Sequence, residues 1–121
     1  LITMAKTEDR IVRNLTEVIH IHYEDYKDAD PGSIGWGMDR QIFDWVVPYH
    51  SGAVAYFQSV GVWTEEYERH NLSLIQRQEI LSDAWEAYLN SEEVLGDDFH
   101  EGWLNARIEA LELHGMDPVG P

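Results

Sequence analysis

Hydrophobic and aromatic side chains in the first part of the chain recur three and four residues apart, which is the spacing of one helix face. The positions of this stripe are Ile11, Val12, Leu15, Val18, Ile19, His22, Tyr23 and Tyr26. The opposite face carries charge at Arg10, Arg13, Glu17 and Glu24. Thr7 is the candidate N-cap, because its hydroxyl can accept a backbone N–H of the first turn. The pattern predicts a helix of about four turns.

A second and longer helix is predicted after Trp63. Thr64 is a good N-cap, and three glutamates follow it in the first turn, where the helix dipole favours negative charge. No proline or glycine interrupts residues 64–95. The helical stripe continues through Leu74, Ile75, Gln78, Leu81, Ala84, Trp85, Tyr88 and Leu89. We expect one long helix, either continuous or broken near residues 70–73.

Two shorter helices have recognisable ends. Ser51 can cap a helix that Gly61 ends, and Asp97 or Asp98 can cap a last helix that Gly115 ends. Trp85 and Trp103 lie at helical spacing and are expected in the core, whereas Trp36 in its glycine loop fits core or ligand pocket equally well.

Between these elements, residues 28–38 contain a proline and three glycines and are predicted to form a loop. Asp39 can cap one or two helical turns after this loop, and a short strand over residues 42–47 is the alternative. Residues 115–121 are expected to fray. The sequence therefore predicts a mostly α chain with four to five helices, in a single helical segment over residues 1–121.

The charge balance restricts the classes of partner. The chain has 23 acidic and 8 basic residues, with a formal net charge of −15. Nucleic-acid backbones and anionic membranes repel such a protein, so we expect no nucleic-acid partner. The acidic residues are spread along the chain, which favours adaptation to a salty environment over a patch for one cationic partner. There are no cysteines, which excludes disulfides and thiol chemistry.

Histidines raise the possibility of a metal site. Glu17 and His20 have the i, i+3 spacing of helical di-metal sites, but such sites need a second pair on an apolar face. His20 and His22 point in different directions on a helix. We predict no metal and no cofactor, and keep a helical metalloenzyme built on Glu17, His20, His22 and His50 as a third hypothesis.

His50 is the best single candidate for catalysis. A nucleophile–base pair with Ser51 would need an orienting carboxylate and an oxyanion hole, and neighbours in sequence do not normally form such a pair. A structural interpretation is simpler. Pro48 ends one element, His50 and Ser51 cap the next helix, and Gly52 lets that helix approach another backbone closely. We predict that the chain is not an enzyme.

Residues 47–63, VPYHSGAVAYFQSVGVW, contain the pattern Pro-x-His-x-Gly-Ala followed by Tyr-Phe and a glycine. This pattern resembles a segment near the C-terminus of the TAXI-type solute-binding proteins, the extracytoplasmic receptors of one class of TRAP transporters. The matching residues are Pro48, His50, Gly52, Ala53, Tyr56, Phe57 and Gly61. Downstream, the resemblance continues at Trp63, Asn71, Leu74, Arg77, Gln78, Leu81, Ala84 and Trp85. It covers most of residues 5–90, and Ser51 and Gln58 depart from the family pattern.

The resemblance implies that the chain is the C-terminal part of a two-lobed α/β receptor. Such receptors close on a small organic acid or amino acid, deliver it to TRAP permease subunits in the membrane, and perform no chemistry. The family's ligand contacts lie largely upstream, so none is carried over. Tyr49, His50 and Tyr56 are the candidates here for touching the solute or the permease.

Two hypotheses make opposite statements about the surface. A receptor segment would expose apolar faces that the rest of the receptor covers, and on its own it could form a homodimer. A free-standing acidic helical interaction module would have polar outer faces on its first and last helices. The start at Leu1, without methionine, is interpreted as a piece of a longer protein.

Overall fold

The computed structural model describes residues 1–91 and 98–120, and it contains α-helices and no β-strand among them. The α-helices are α1 Asp9–Ile21, α2 Tyr23–Tyr26, α3 Ser51–Ser59, α4 Glu65–Leu89 and α5 Phe99–Leu113. Two short 3₁₀ helices, Ser33–Trp36 and Met38–Arg40, lie between α2 and α3. The prediction of a mostly α chain with four to five helices is confirmed for the described residues. The chain divides into two compact units, Leu1–Asn71 and Leu72–Pro121.

The first unit is organised around the contact between α1 and α3. Its buried core cluster consists of Val12, Phe43, Ala53, Tyr56 and Phe57. Phe43 lies at the centre of an aromatic group, with ring centroids 5.0 Å from Phe57, 5.2 Å from Tyr67 and 5.6 Å from Trp63. Each such aromatic pair adds about 0.5–1.5 kcal/mol beyond the burial of apolar area.

The start and the end of α1 differ from the sequence prediction. Glu8, not Thr7, is the N-cap residue, and its side chain makes no cap hydrogen bond with a described N–H. The helix ends at Ile21, because His22 leaves the helical conformation at φ −98° and ψ 10°. The predicted continuous helix to Tyr26 is therefore wrong, and Tyr23–Tyr26 form the separate helix α2.

The face of α1 that meets α3 also differs from the prediction. Ile11, Leu15 and Val18 of the apolar stripe are 51%, 45% and 50% exposed. The half-buried Arg13, from the face predicted to be polar, lies over the ring of Tyr56 on α3. The hydrophobic stripe of α1 therefore points largely away from the described core.

Two glycines end helices as predicted. Gly61 follows α3 with a φ of 77°, and the Val62 N–H donates to the Phe57 carbonyl over 3.1 Å. Gly115 follows α5 with a φ of 69°, and the Met116 N–H donates to the Leu111 carbonyl over 2.9 Å. A left-handed residue followed by this long reverse hydrogen bond is the Schellman motif, which satisfies the last carbonyls of a helix.

The N-cap of α4 is also confirmed. The Thr64 hydroxyl accepts the Tyr67 N–H over 3.2 Å. Helix α4 runs unbroken to Leu89, so the alternative with a break near residues 70–73 is wrong. The predicted positions 92–95 lie outside the described residues. Asp98 is the N-cap residue of α5 without a cap hydrogen bond to a described N–H, and Asp97 lies outside the described residues.

The connections between helices are irregular. In the 28–38 loop, the Gly32 N–H donates to the Asp30 carboxylate over 2.7 Å, which forms a tight turn. Asp39 lies inside a 3₁₀ helix, and described residues 41–50 form neither helix nor strand, so the strand alternative at 42–47 is wrong. In the tail, Arg77 and Arg107 donate to the carbonyls of Asp117 and Pro118 over 2.6 and 3.0 Å.

The second unit contains an aromatic cluster between α4 and α5. Trp85 and Trp103 pack edge to face with centroids 4.8 Å apart. The Tyr88 ring is buried beside them, and its hydroxyl donates to the Phe99 carbonyl over 2.8 Å. Trp85 remains 36% exposed, so the two tryptophans expected in the core form its edge.

Gly102 sets how closely α5 approaches Tyr88. A Cβ at position 102 would lie 2.5 Å from the Tyr88 hydroxyl oxygen. We expect Gly102→Ala to lower the free energy of unfolding by about 1 kcal/mol, because the hydroxyl must move and lose its hydrogen bond. In a Tyr88→Phe background, the same change should cost clearly less, because the nearest atom is gone and only ring carbons at 3.2 Å remain. Urea unfolding of the four proteins of this double-mutant cycle measures the difference. Equal effects of Gly102→Ala in both backgrounds would contradict the close approach.

Candidate functional site

The candidates Tyr49, His50 and Tyr56 all lie where α3 begins and runs along α1. His50 is the N-cap of α3, and its Nδ1 accepts the Gly52 N–H over 3.0 Å. Its Nε2 lies 3.0 Å from the carbonyl oxygen of Thr7. A carbonyl can only accept, so Nε2 carries the proton and the neutral ring satisfies two backbone groups at once. The predicted cap at His50 is confirmed, but the predicted cap at Ser51 is wrong, because Ser51 is the first helical residue and its hydroxyl donates to Asp9.

Ser51 is the first residue of α3, and its hydroxyl does not donate to a ring nitrogen of His50. Its hydroxyl donates to the Asp9 carboxylate on α1 over 2.6 Å. Both ring nitrogens of His50 already face backbone groups, and its side chain is 7% exposed. The arrangement is therefore a helix start fixed to a neighbouring helix, without the geometry of a nucleophile and its base.

Gly52 brings the two helix backbones into direct contact. A Cβ at this position would overlap the carbonyl oxygen of Asp9 and lie 3.0 Å from the backbone nitrogen of Arg13. Since these are backbone atoms of a helix, they cannot move aside as a flexible side chain could. The predicted close approach at Gly52 is confirmed, and its partner is the first turn of α1.

Tyr56 continues the same contact one turn later. It is 3% exposed, and its hydroxyl lies 2.7 Å from Nδ1 of His20 on α1. Burial raises the pKa of the Tyr56 hydroxyl, the charge of Glu17 raises it further, and Arg13 opposes both. The hydroxyl is thus held neutral inside the α1–α3 contact.

Tyr49 is held by Asn71, the buried polar residue of this region. The Asn71 side-chain oxygen accepts the Tyr49 N–H over 2.6 Å, and its nitrogen donates to the Tyr49 carbonyl over 3.4 Å. The Tyr49 hydroxyl donates to the Ile42 carbonyl over 3.1 Å. Burial, and then the charge of Asp44, raise the pKa of the Tyr49 hydroxyl. From the sequence, Asn71 stands out only through the resemblance, although its spacing of three residues from Leu74 places both on one face of the helix.

The raised pKa values of Tyr49 and Tyr56 determine how their contribution to stability changes at alkaline pH. A pKa that folding raises contributes stability below the unfolded value, about 10 for tyrosine, and this contribution is lost as pH rises above it. Neutral Tyr49 and Tyr56 therefore support the fold throughout the neutral range.

The four residues of the metal hypothesis have separate partners. Glu17 accepts from Arg13 over 3.2 Å, and Nδ1 of His22 lies 2.9 Å from the Asp25 carboxylate. His20 meets Tyr56, and His50 meets Thr7 and Gly52. Within residues 1–91 and 98–120, no group of three or more histidine or acidic side chains is placed to hold a metal ion.

A shallow hollow of about 300 Å³ lies near α2 in the first unit. Its lining residues are Tyr23, Lys27, Asp28, Ile34, Asp39 and Arg40. The ammonium of Lys27 is 2.5 Å from the Glu24 carboxylate, whose hydrogen bond raises the Lys27 pKa. Arg40 pairs with Asp39 at 3.6 Å. Both cations of the hollow are thus already paired with carboxylates, so neither is free to bind an anionic ligand.

Exposed apolar side chains form the most conspicuous surface feature of the first unit. On α1, Ile21 is 61% exposed and continues the stripe of Ile11, Leu15 and Val18. In the segment before Pro48, the exposed side chains are Ile42, Trp45, Val46 and Val47. The backbone of that segment is held, since the Trp45 carbonyl lies 2.8 Å from Nε2 of His70. Apolar patches of this kind mark contact surfaces.

Comparisons of the chain with models of protein families, with curated proteins and with solved structures found no match. In the described part of the chain, no helix combines the length and hydropathy that a membrane span requires. The functional argument therefore depends on the residues themselves.

The role of Gly52 gives a direct prediction. We expect Gly52→Ala to lower the free energy of unfolding by about 2–3 kcal/mol, because the new methyl group overpacks the backbone of α1. Gly35→Ala is the matched control, since a Cβ there meets no described atom within 4 Å. The control should change stability by less than about 1 kcal/mol. Urea unfolding measures both, and equal effects would refute the backbone contact.

The clamp at Asn71 gives a second prediction. Asn71→Ala leaves the Tyr49 N–H and carbonyl without their buried partner, so we expect a loss of about 2–3 kcal/mol. Asn14→Ala, at an exposed position of α1, should change the stability by less than about 0.5 kcal/mol. Thermal unfolding followed by tryptophan fluorescence compares them. An Asn71→Ala protein as stable as the Asn14→Ala protein would show that the clamp is unimportant.

Proposed function

We propose that this chain is the C-terminal region of an extracytoplasmic solute receptor of the TAXI class of TRAP transporters. The receptor binds a small organic acid or amino acid and delivers it to permease subunits in the membrane. The observation that carries this proposal is that three residues of the resemblance, His50, Gly52 and Tyr56, all lie in the contact between α3 and α1. A string of residues that matched by chance would have no reason to share one structural task.

The structural roles of five of the matching residues can be stated. His50 caps α3, Gly52 permits backbone contact, and Gly61 ends the helix in the left-handed conformation. Tyr56 and Phe57 belong to the buried core cluster. Spaced residues that a particular packing requires are typical of a shared fold, so they support membership of the receptor fold.

The surface supports the same proposal. Ile11, Leu15 and Val18 on α1 are about half exposed, and on α5 Leu113 is 82% exposed. In a receptor, the lobes would cover these faces. The alternative, a free-standing acidic interaction module, requires polar outer faces on the first and last helices, and these exposed side chains weigh against it.

The three residues predicted to contact the solute form hydrogen bonds within the protein itself. The polar atoms of Tyr49, His50 and Tyr56 hydrogen-bond to Asn71, Ile42, Thr7, Gly52 and His20. We infer that the solute is held by other parts of the receptor and that this segment supports the lobes.

The proposal is tested on the whole product of the gene. Its intact mass should clearly exceed 14.0 kDa, the mass of this chain. Thermal unfolding in the presence of a panel of organic acids and amino acids should then show a saturable rise in Tm with at least one of them. A gene product of the same mass as this chain, or one that no member of the panel stabilises, would contradict the receptor proposal.

Burial of the exposed stripe of α1 by the receptor lobes gives an independent prediction. Because the chain has no cysteine, Leu15→Cys introduces a unique thiol on the exposed stripe. We expect its maleimide labelling to be at least about tenfold slower in the whole gene product, with any native cysteines replaced by serine, because the lobes bury it. Glu86→Cys, on an exposed position of α4, is the control for general reactivity. Equal labelling of Leu15→Cys in both proteins would contradict coverage of this face.

A further inference from the structure

The N-cap of α3 is a histidine, and protonation of a histidine ring turns its acceptor nitrogen into a donor. We propose that His50 makes the α1–α3 contact pH-sensitive, so that protonation of its ring releases the start of α3 from α1. This inference goes beyond the receptor function and does not depend on it.

Both nitrogens of the neutral His50 ring form hydrogen bonds in the folded structure. Nδ1 accepts the Gly52 N–H, and the Nε2 proton is donated to the Thr7 carbonyl, each over 3.0 Å. The ring thus joins the first turn of α3 to the segment that leads into α1. With the side chain 7% exposed, water can replace neither partner without opening the contact.

Protonation removes the cap. A proton on Nδ1 points at the Gly52 N–H, so two donors face each other where one hydrogen bond had been. The added positive charge also lies at the N-terminus of α3, where the helix dipole is already positive. The same Gly52 touches the backbone of α1, so loss of the cap loosens the closest approach of the two helices.

Asp9 is the charged group that could oppose this effect. Its carboxylate lies 3.7 Å from Nδ1 and already accepts the Ser51 hydroxyl. The side chain is 69% exposed, so solvent screens its attraction for a protonated ring. The next charged residues of α1 on this side, Arg13 and Glu17, pair with each other beside Tyr56.

The sign of the effect follows from proton binding. The cap is present when His50 is neutral, and a proton can bind Nδ1 only after the Gly52 N–H has been released. Acidification therefore favours states in which the cap is open, so stability should fall as pH falls. If Asp9 captured the ring as an ion pair, stability would rise instead.

The test compares the chain with His50→Asn, which keeps a good N-cap acceptor that does not titrate. Thermal unfolding is measured at about pH 7.5 and about pH 5.5, across the histidine range. The Tm of the unchanged chain should fall by about 5 °C more than that of His50→Asn, the shift expected for one lost N-cap in a domain of this size. The other five histidines are the same in both proteins, so their contributions cancel. Equal falls, or a larger fall in His50→Asn, would overturn the proposal.

A second measurement needs no variant. Amide hydrogen exchange of the unchanged chain, corrected for the intrinsic pH dependence, should show about fivefold less protection of Gly52 and Ala53 at the lower pH. Protection of Leu111 in α5 should be unaltered. Unchanged protection at Gly52 and Ala53 would overturn the proposal even if His50→Asn failed to fold.

Discussion

Helix α3 meets α1 at a distance that a side chain at position 52 would prevent, and the first unit is built around this approach. Once the two backbones touch at Gly52, the His50 ring reaches the carbonyl of Thr7 and the Ser51 hydroxyl reaches Asp9. One turn later, Tyr56 meets His20 across the same contact. A larger residue at position 52 would separate all of these pairs together.

The interactions of this unit divide into those that stabilise it and those that orient it. Burial of each large aromatic side chain contributes about 1.5–3 kcal/mol, so the cluster around Phe43 supplies most of the driving force. The exposed Arg10–Glu8 pair contributes about 0–1 kcal/mol. The His50 cap contributes about 1 kcal/mol, but it determines where α3 begins and which backbone it faces. The cluster therefore stabilises, while Gly52 and His50 orient the helices.

The sequence predicted three helix ends correctly, but it did not predict the buried face of α1. The N-cap at Thr64 and the helix ends at Gly61 and Gly115 could be predicted from sequence, because capping depends on local backbone geometry. The buried face of α1 could not be predicted, because periodicity identifies apolar positions but not the neighbours that cover them. Ile11 and Leu15 are therefore exposed, while Arg13 from the polar face packs on Tyr56. The close approach at Gly52 was predictable from a glycine beside a cap, but its partner on α1 was not.

The central claim is that the start of α3 is held against α1 by the backbone contact at Gly52. The most direct measurement is a nuclear Overhauser experiment on the ¹³C,¹⁵N-labelled chain, between the Hα protons of Gly52 and the backbone amide proton of Arg13. The account predicts a strong cross-peak, because a Cβ in the place of one Gly52 Hα would lie 3.0 Å from the Arg13 nitrogen. No cross-peak, in a sample where the sequential contacts within α1 and α3 are all present, would contradict the account.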